Sequence, residues 1–494
     1  MPSAFDVIET TIADIHAAFR AGSLSARQLV ELYLARIEAY DKSGPKINSI
    51  ISLNPQALAQ ADRLDAAQRQ SGLVGPLHGI PILIKDQADV AEMPTTLGSV
   101  LFRDYCPGRD CFVAAKLRAA GAILLGKATL GELGAGDAHG SLYGSTRNPY
   151  DLARTVGGSS GGSGAAVSAN FATLALGQEG FASIRRPSIW NGIAGMRPSI
   201  GLVSRSGVYG GWPSTNGSLG PMARSVADLA ALLEVMVGYD PEDPSTALGF
   251  GHFPERLTAL LDKKALKGAR LGILREPMGF HSEPQSEDFA KVGAVFDRAV
   301  VELREAGAEI IDPVVIPDLN ALLAQRAFSA AQGDEGFKLY FGGTGKAPFA
   351  TRQEAIASPL FEQLLPPTRN RWLRQAPEEK QLASLKARDR LMINMLKVMA
   401  DHRLDAIVHK AVEHQPTLIA EGINPPYVDQ KGAPHLNTFL ESVPSIVVPA
   451  GFTSDNLPAG ITFLGRPYDD AAMIRFAYAY EQATHHRKAP KLDG

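Results

Sequence analysis

The stretch Thr155–Ser188, TVGGSSGGSGAAVSANFATLALGQEGFASIRRPS, decides how this chain is read. It opens with Gly157-Gly158-Ser159-Ser160-Gly161-Gly162-Ser163, all glycine and serine. Such a run cannot build a core, but its permissive backbone can turn sharply and lay N–H groups and hydroxyls beside a ligand. Gly/Ser runs also serve as flexible linkers between folded units. This one leads straight into Ala165-Ala166-Val167-Ser168-Ala169, a small-residue helix able to pack closely, which argues for a structured loop. The apolar Phe171–Leu176 follows as a strand, and a turn over Gly177–Gly180 delivers Ser183. Loop, buried helix, strand, turn and serine form one unit, and the remaining chain supports it.

At 494 residues the chain can bury a large core, and 45% hydrophobic with 20% charged residues is ordinary for a globular protein. A formal net charge of -3 implies no general attraction to nucleic acid or to an anionic membrane. Cys106 and Cys111 are too few for a disulfide framework or a zinc pattern, so a reducing compartment is expected. No apolar run reaches transmembrane length, and Met1–Glu9 lacks the pattern of a signal peptide. These features point to the cytoplasm.

Around the central stretch, helices alternate with strands. Ala4–Tyr40 reads as two amphipathic helices broken at Gly22, with Ser25 and Gln28 placed as a capping box. Ile47–Ile51 is a strand and Gln56–Gln70 a helix. Ile82-Leu83-Ile84 is a short apolar strand after the turn Gly75–Pro81. Phe112–Ala120 is helical and Gly121–Lys127 strand-like. A short strand is expected at Gly201–Val203 and a helix at Ser225–Val237. Leu271–Leu274 and Ala308–Ile316 are strands flanking the helix Ser286–Ala306. Asp318–Ala400 is mostly helical, with breaks at Gly342–Pro348 and Pro366-Pro367. Strands at Asp405–Val408, Ser445–Gly451 and Gly460–Leu464 precede a closing helix, Ala471–Thr484. This alternation predicts an α/β layer structure.

The strand Ile82–Ile84 delivers Lys85-Asp86. A lysine there either snorkels to water or stays partly buried, where its neutral form becomes accessible as a base. Lys127 with Ala128 nearly completes a Walker A loop, but Ala-Ile-Leu-Leu reads as a buried strand and the closing Ser/Thr is missing, so Lys127 reads as structural. His139 sits in a Gly-rich loop without a second ligand at metal spacing, so it reads as a satisfied or solvated histidine.

At GIPILIKD, at Pro94–Ser99, at AILLGKATLGEL, at NPYDLARTVGGSSGGS, at SIRRPS, at LGPMARSVADLA and at PAGFTSDNLPAGITFLGRP the chain resembles the amidase signature family of serine hydrolases. The resemblance implies one α/β/α unit around a mixed, mostly open sheet, spanning residues 1–494. Its parts would be a helical segment at 1–60, a signature core at 75–235, a variable, mostly helical substrate-side region at 240–400, and the returning core at 401–494. It implies a Ser–Ser–Lys triad with Lys85 as base, Ser159 as bridging serine and Ser183 as nucleophile, and an acyl-enzyme on Ser183. Backbone N–H groups of Gly180, Phe181, Ala182 and Ser183 would hold the oxyanion. Ser160 and Arg185 would support the site. The loop Gly134-Ala135-Gly136-Asp137 and Phe181 would line the substrate pocket, with Tyr143, Tyr209 and Trp212 as weaker candidates. A cis peptide is expected at Gly158–Ser159 or the bond after it. No cofactor and no metal are implied. Expected partners are an amide, aryl-amide or urethane and water, without nucleic acid or membrane, in a monomer or homodimer.

The sequence departs from the family pattern. Phe181-Ala182 stands for a usual Gly-Gly, Glu179 for Asp, Gln178 for Thr, Asn216 for Asp, and His409-Lys410 for Thr-Pro. These changes bear on substrate class more than on reaction type and argue against a role within a transamidosome. Two other readings compete. Gly158–Gly162 satisfies G-x-S-x-G, which would make Ser160 the nucleophile of an α/β-hydrolase-type esterase with His409, His414 or His435 as partner. The altered loop also permits a non-catalytic binding protein on the same fold.

Overall fold

A computed structural model describes residues 5–492, apart from 212–216, 328–329, 375–376, 435, 437–439 and 441. Trp212, Asn216 and His435 therefore lie outside the described residues.

The architecture is an 11-stranded mixed sheet covered by helices, as expected. Its strands are β1 (Ile50–Leu53), β2 (Pro81–Lys85), β3 (Ile123–Ala128), β4 (Leu174–Glu179), β5 (Ala194–Arg197), β6 (Ser218–Ala223), β7 (Arg270–Leu274), β8 (Glu309–Val314), β9 (Ala406–Lys410), β10 (Ser445–Phe452) and β11 (Pro458–Leu464). Their spatial order is β1-β3-β2-β4-β6-β5-β10-β11-β9-β7-β8. Strands β3, β2 and β4 run parallel to one another, and β6 pairs antiparallel with β4 from Ser218–Glu179 to Ala223–Leu174. β2, β3 and β4 are buried along their whole length, which matches their continuous apolar runs. Lys85 and Glu179 stand at the carboxyl ends of β2 and β4, where open α/β sheets place their sites.

At the N-terminus, α1 (Ile12–Ala21) ends at Gly22, whose φ of 68° needs glycine, and α2 (Ala26–Ile37) begins with the expected Ser25/Gln28 capping box. After α3 (Ala57–Ser71) and α4 (Phe112–Ala119), helix α5 (Gly161–Ser168) is buried on all sides. It can approach β3 because Gly162 has no Cβ: an added one would collide with Thr129 Oγ1 and sit 2.5 Å from Thr129 N. Helix α6 (Arg185–Trp190) follows the loop after β4, α7 (Val226–Met236) packs on β6, and α8 (Glu287–Glu305) on β11.

Several local expectations differ. Gly177–Gly180 is not a turn: the strand continues to Glu179, because Gly177–Glu179 find partners in Gly220, Leu219 and Ser218 of β6. At Gly201–Val203 the structure holds one isolated bridge, Val203 to Val237. Pro366-Pro367 opens the helix Pro366–Leu373, since a first-turn proline lacks only an N–H that is an orphan there anyway. No described helix is long and apolar enough to cross a membrane.

One buried ion pair ties β3 to the end of β2. Lys127 Nζ lies 3.1 Å from Asp86 Oδ1, both side chains fully buried, and it also donates to Thr95 Oγ1 at 3.0 Å. This is the structural role expected for Lys127. Removing one partner of such a pair leaves an uncompensated charge. Lys127→Met is therefore expected to lower stability by about 3–5 kcal/mol in chemical denaturation, and an unchanged unfolding midpoint would contradict the pair's role.

Candidate active site

Lys85 closes a strand whose apolar residues carry it into the interior, and its side chain is fully buried. Its Nζ lies 2.6 Å from Ser159 Oγ and donates to Gln178 O at 3.1 Å. Desolvation holds the amine well below its ordinary value, with the negative charge of Glu179 opposing more weakly. A neutral amine keeps a lone pair that can accept a proton from Ser159. Lys127, equally buried, lies against a carboxylate instead, which separates the two lysines by environment.

Ser159 sits in the loop ahead of α5, and the Gly158–Ser159 peptide is cis, as the resemblance leads one to expect. Gly158 must be glycine because an added Cβ would collide with Gly136 O and lie 2.8 Å from Asp137 Cα. Gly131 N donates to Ser159 O at 2.9 Å and Ala138 N to Gly157 O at 2.9 Å, so neighbouring backbone grips this segment. Ser160 N donates to Ser183 O at 3.0 Å, joining the Ser159 segment directly to the Ser183 segment.

The Ser160 hydroxyl is engaged twice: it donates to Gln178 O at 3.1 Å and accepts from Gln178 N at 3.1 Å. The strand before this loop, Asp151–Thr155, belongs to a two-stranded ribbon and not to the central sheet. Neither observation suits a nucleophile elbow at Ser160.

Ser183 is half-buried in the short loop between β4 and α6. Glu179 organises this loop. Its Oε2 accepts from Ile184 N at 2.8 Å and Arg185 N at 2.9 Å, and its Oε1 accepts from Arg185 Nε at 2.7 Å. Arg185 Nη2 in turn donates to Phe181 O at 3.0 Å and Pro434 O at 3.4 Å. The Ile184 and Arg185 N–H groups are thus already engaged by Glu179. The Phe181 ring packs against residues of the chain's second half. It meets the Phe280 ring edge-on at 6.0 Å and lies under the Arg326 guanidinium at 4.1 Å. Burial pulls Arg326 down to about 9.

Ala135, Gly136 and Asp137 line a small cleft with Leu365, Thr368, Arg371, Val428 and Asp429, while Gly134 faces the Gln87 side chain. The Asp137 carboxylate is almost fully buried and paired with Arg186. Burial pushes it up to about 7, with Arg186 opposing and the charge of Asp429 adding. Tyr143 donates its hydroxyl to Leu130 O, and Tyr209 meets Tyr340 edge-on at 5.7 Å. His139 Nδ1 lies 2.8 Å from Ser145 Oγ, and burial lowers it to about 4. Among the described residues no group of His, Cys, Asp or Glu is arranged to hold a metal ion. Sequence reasoning missed Arg186 and Arg326. The doubled arginine in SIRRPS, set in an apolar context, was the available signal for the first.

The family model Amidase matches residues 28–474. The solved structure of native peptide amidase from Stenotrophomonas maltophilia is 34% identical, superposes with a TM-score of 0.88 and covers 99% of both chains. One component of the glutamyl-tRNA(Gln) amidotransferase of Chloroflexus aggregans is 33% identical over 500 residues, 98% of each chain. A probable amidase of Arabidopsis thaliana is 32% identical over 520 residues, 100% of this chain and 93% of the relative. With a buried lysine at a strand end against Ser159, and with likeness of this extent, the chain belongs to the amidase signature family of enzymes acting on carbon–nitrogen bonds.

Proposed function

We propose that this enzyme hydrolyses a carboxamide through an acyl-enzyme on Ser183, with Ser159 and Lys85 relaying the proton. The observation that carries the reading is the 2.6 Å approach of Lys85 Nζ to Ser159 Oγ in a fully buried setting. In the first half-reaction Ser183 Oγ attacks the acyl carbon and gives its proton to Ser159, which passes its own to the neutral Lys85 amine. The oxyanion faces the backbone N–H groups of Gly180, Phe181, Ala182 and Ser183, each such donor being worth roughly 10²–10³ in rate. The C–N bond then breaks and the departing amine takes the proton back along the relay. Water repeats the sequence on the ester, releasing the acid and restoring Ser183.

The substrate pocket in this reading is the side of the site formed by Gly134–Asp137 and Phe181. Likeness to a peptide amidase over 99% of both chains favours a peptide carboxamide over an aryl-amide or a urethane. The reading takes the protein as a single domain, a monomer or homodimer of the cytoplasm.

A hydrolysis screen over peptide amides, small aliphatic amides, anilides and urethanes tests substrate class. On the best substrate, Ser183→Ala is expected to lower kcat by roughly 10⁴-fold or more, with circular dichroism unchanged. Ser160→Ala is expected to retain turnover, losing about 1 kcal/mol of stability. The reverse pattern would overturn the triad assignment. Phe181→Gly is expected to cut discrimination between small and bulky amides by about tenfold in kcat/KM. Equal losses on both would show that the ring only braces the loop.

A further inference from the structure

Arg186 is buried, does not touch the Lys85–Ser159 pair, and has no part in the chemistry above. It stands two residues after the first buried anchor of the nucleophile loop, Ile184, on the first turn of α6. Its Nη2 donates to two acceptors: the Asp137 carboxylate and, at 3.2 Å, Gly158 O. Gly158 O belongs to the peptide bond that leads into Ser159. The guanidinium also lies over the Trp190 ring at 4.9 Å, and Arg186 N donates to Ala182 O at 3.0 Å. The side chain is therefore held from several directions while it holds Gly158.

The partner carboxylate is itself fixed. Asp137 N donates to Asp429 Oδ1 at 2.8 Å, across 292 residues of chain, and Asp137 Cα lies against Gly158. A continuous line of contacts thus runs from Asp429 through Asp137 and Arg186 to the peptide that carries the bridging serine. Buried ion pairs add little net stability compared with a well-packed apolar pair of the same volume, but here a single buried guanidinium nitrogen, Nη2, is shared between a carboxylate and a carbonyl and so fixes the two acceptors relative to each other. The position of this pair, between the segment of Ser183 and the segment of Ser159, gives that geometry a use.

We propose that Arg186 is a positioning residue: it locks the Gly158 carbonyl to α6 and so sets the register of Ser159 against Ser183. The inference rests on the Ser183–Ser159–Lys85 reading. The backbone bond from Ser160 N to Ser183 O and the bond from Asn191 Nδ2 to Val156 O also tie the two segments, and the bond from Arg186 is the tie that reaches the Gly158 carbonyl itself. The other ties leave the Gly158 carbonyl free to swing, and the bond from Arg186 fixes both its distance and its angle to α6. Proton relay between hydroxyls demands both, since a displacement of about 1 Å costs on the order of 100-fold in rate.

The test follows reaction with a fluorophosphonate probe in the full-length protein. Ser183 Oγ forms the bond to phosphorus, fluoride leaves, and the hydroxyl proton passes to Ser159 and Lys85, so the maximal rate reads the relay while the half-saturation concentration reads binding. Arg186→Met is expected to lower the maximal rate about 100-fold with half-saturation little changed. Arg186→Lys, which keeps the positive charge and N–H donors but not the guanidinium plane, is expected to recover at least about tenfold of the 100-fold loss. Arg186→Met also leaves the Asp137 carboxylate unpaired and can unfold the protein, so the double variant Asp137→Asn/Arg186→Met is measured beside it, with rates taken per folded molecule. A positioning role predicts that the double variant folds and remains about 100-fold slow. If it regains the wild-type rate, Arg186 only neutralises Asp137 and the inference fails. It fails also if the Lys and Met variants react alike. Ser183→Ala separates the two levels: labelling that persists there overturns the triad itself, whatever Arg186 does.

Discussion

A primary amine buried without a carboxylate of its own is the constraint on which this site depends. Lys85 is carried inward by Ile82, Leu83 and Ile84 of β2, and burial away from bulk solvent disfavours its charged form. Glu179 stands close enough to act on it, but the hydrogen-bonding capacity of that carboxylate is directed elsewhere, to Ile184 N, Arg185 N and Arg185 Nε. The same carboxylate therefore shapes the Ser183 loop and leaves Lys85 able to remain neutral. A lysine on the neighbouring strand shows the contrast: Lys127 is as deeply buried but faces Asp86 at 3.1 Å, where it braces the sheet.

The parallel strands β2, β3 and β4 make this arrangement possible. They end on one side of the sheet, so Lys85, Thr129 and Glu179 share that side without long loops. Helix α5 packs against Thr129 through Gly162, bringing the Ser159 loop over the strand ends. Backbone contacts from Gly131, Ala138 and Ser183 then hold that loop in place. The C-terminal part completes the site: Ala433 and Phe280 surround the Phe181 ring, Pro434 O accepts from Arg185, and Asp429 accepts from Asp137 N.

The central features were legible in the sequence because they are local. An apolar run ending in a lysine, a Gly/Ser run ahead of small residues, and a capping box at Ser25 are each written within a few residues, and the resemblance supplied the roles. Strands β5 and β6 escaped because AGMR and SLGPMA carry glycine and proline in place of alternating or β-branched residues, and their pairing comes from neighbours already in the sheet. The extension of β4 over Gly177–Glu179 escaped for the same reason: β6 decides it. Contacts such as Asp137 with Asp429, 292 residues apart, leave no local trace. The direction of the Phe181 ring was also illegible, since it depends on Phe280 and Arg326 from the variable region.

The most direct measurement of the central claim is the pH dependence of kcat/KM on the best carboxamide, in wild type and in Lys85→Met. A base must be unprotonated to work, so activity rises as pH climbs through the Lys85 value and falls as the amine protonates below it. Because burial lowers that value, the account predicts full activity well below the ordinary lysine range, a single protonation on the acid side, and no activity in Lys85→Met at any pH. An activity that climbs only with a midpoint near about 10.4, the value of an exposed lysine, or a Lys85→Met enzyme that keeps the wild-type profile, would contradict it.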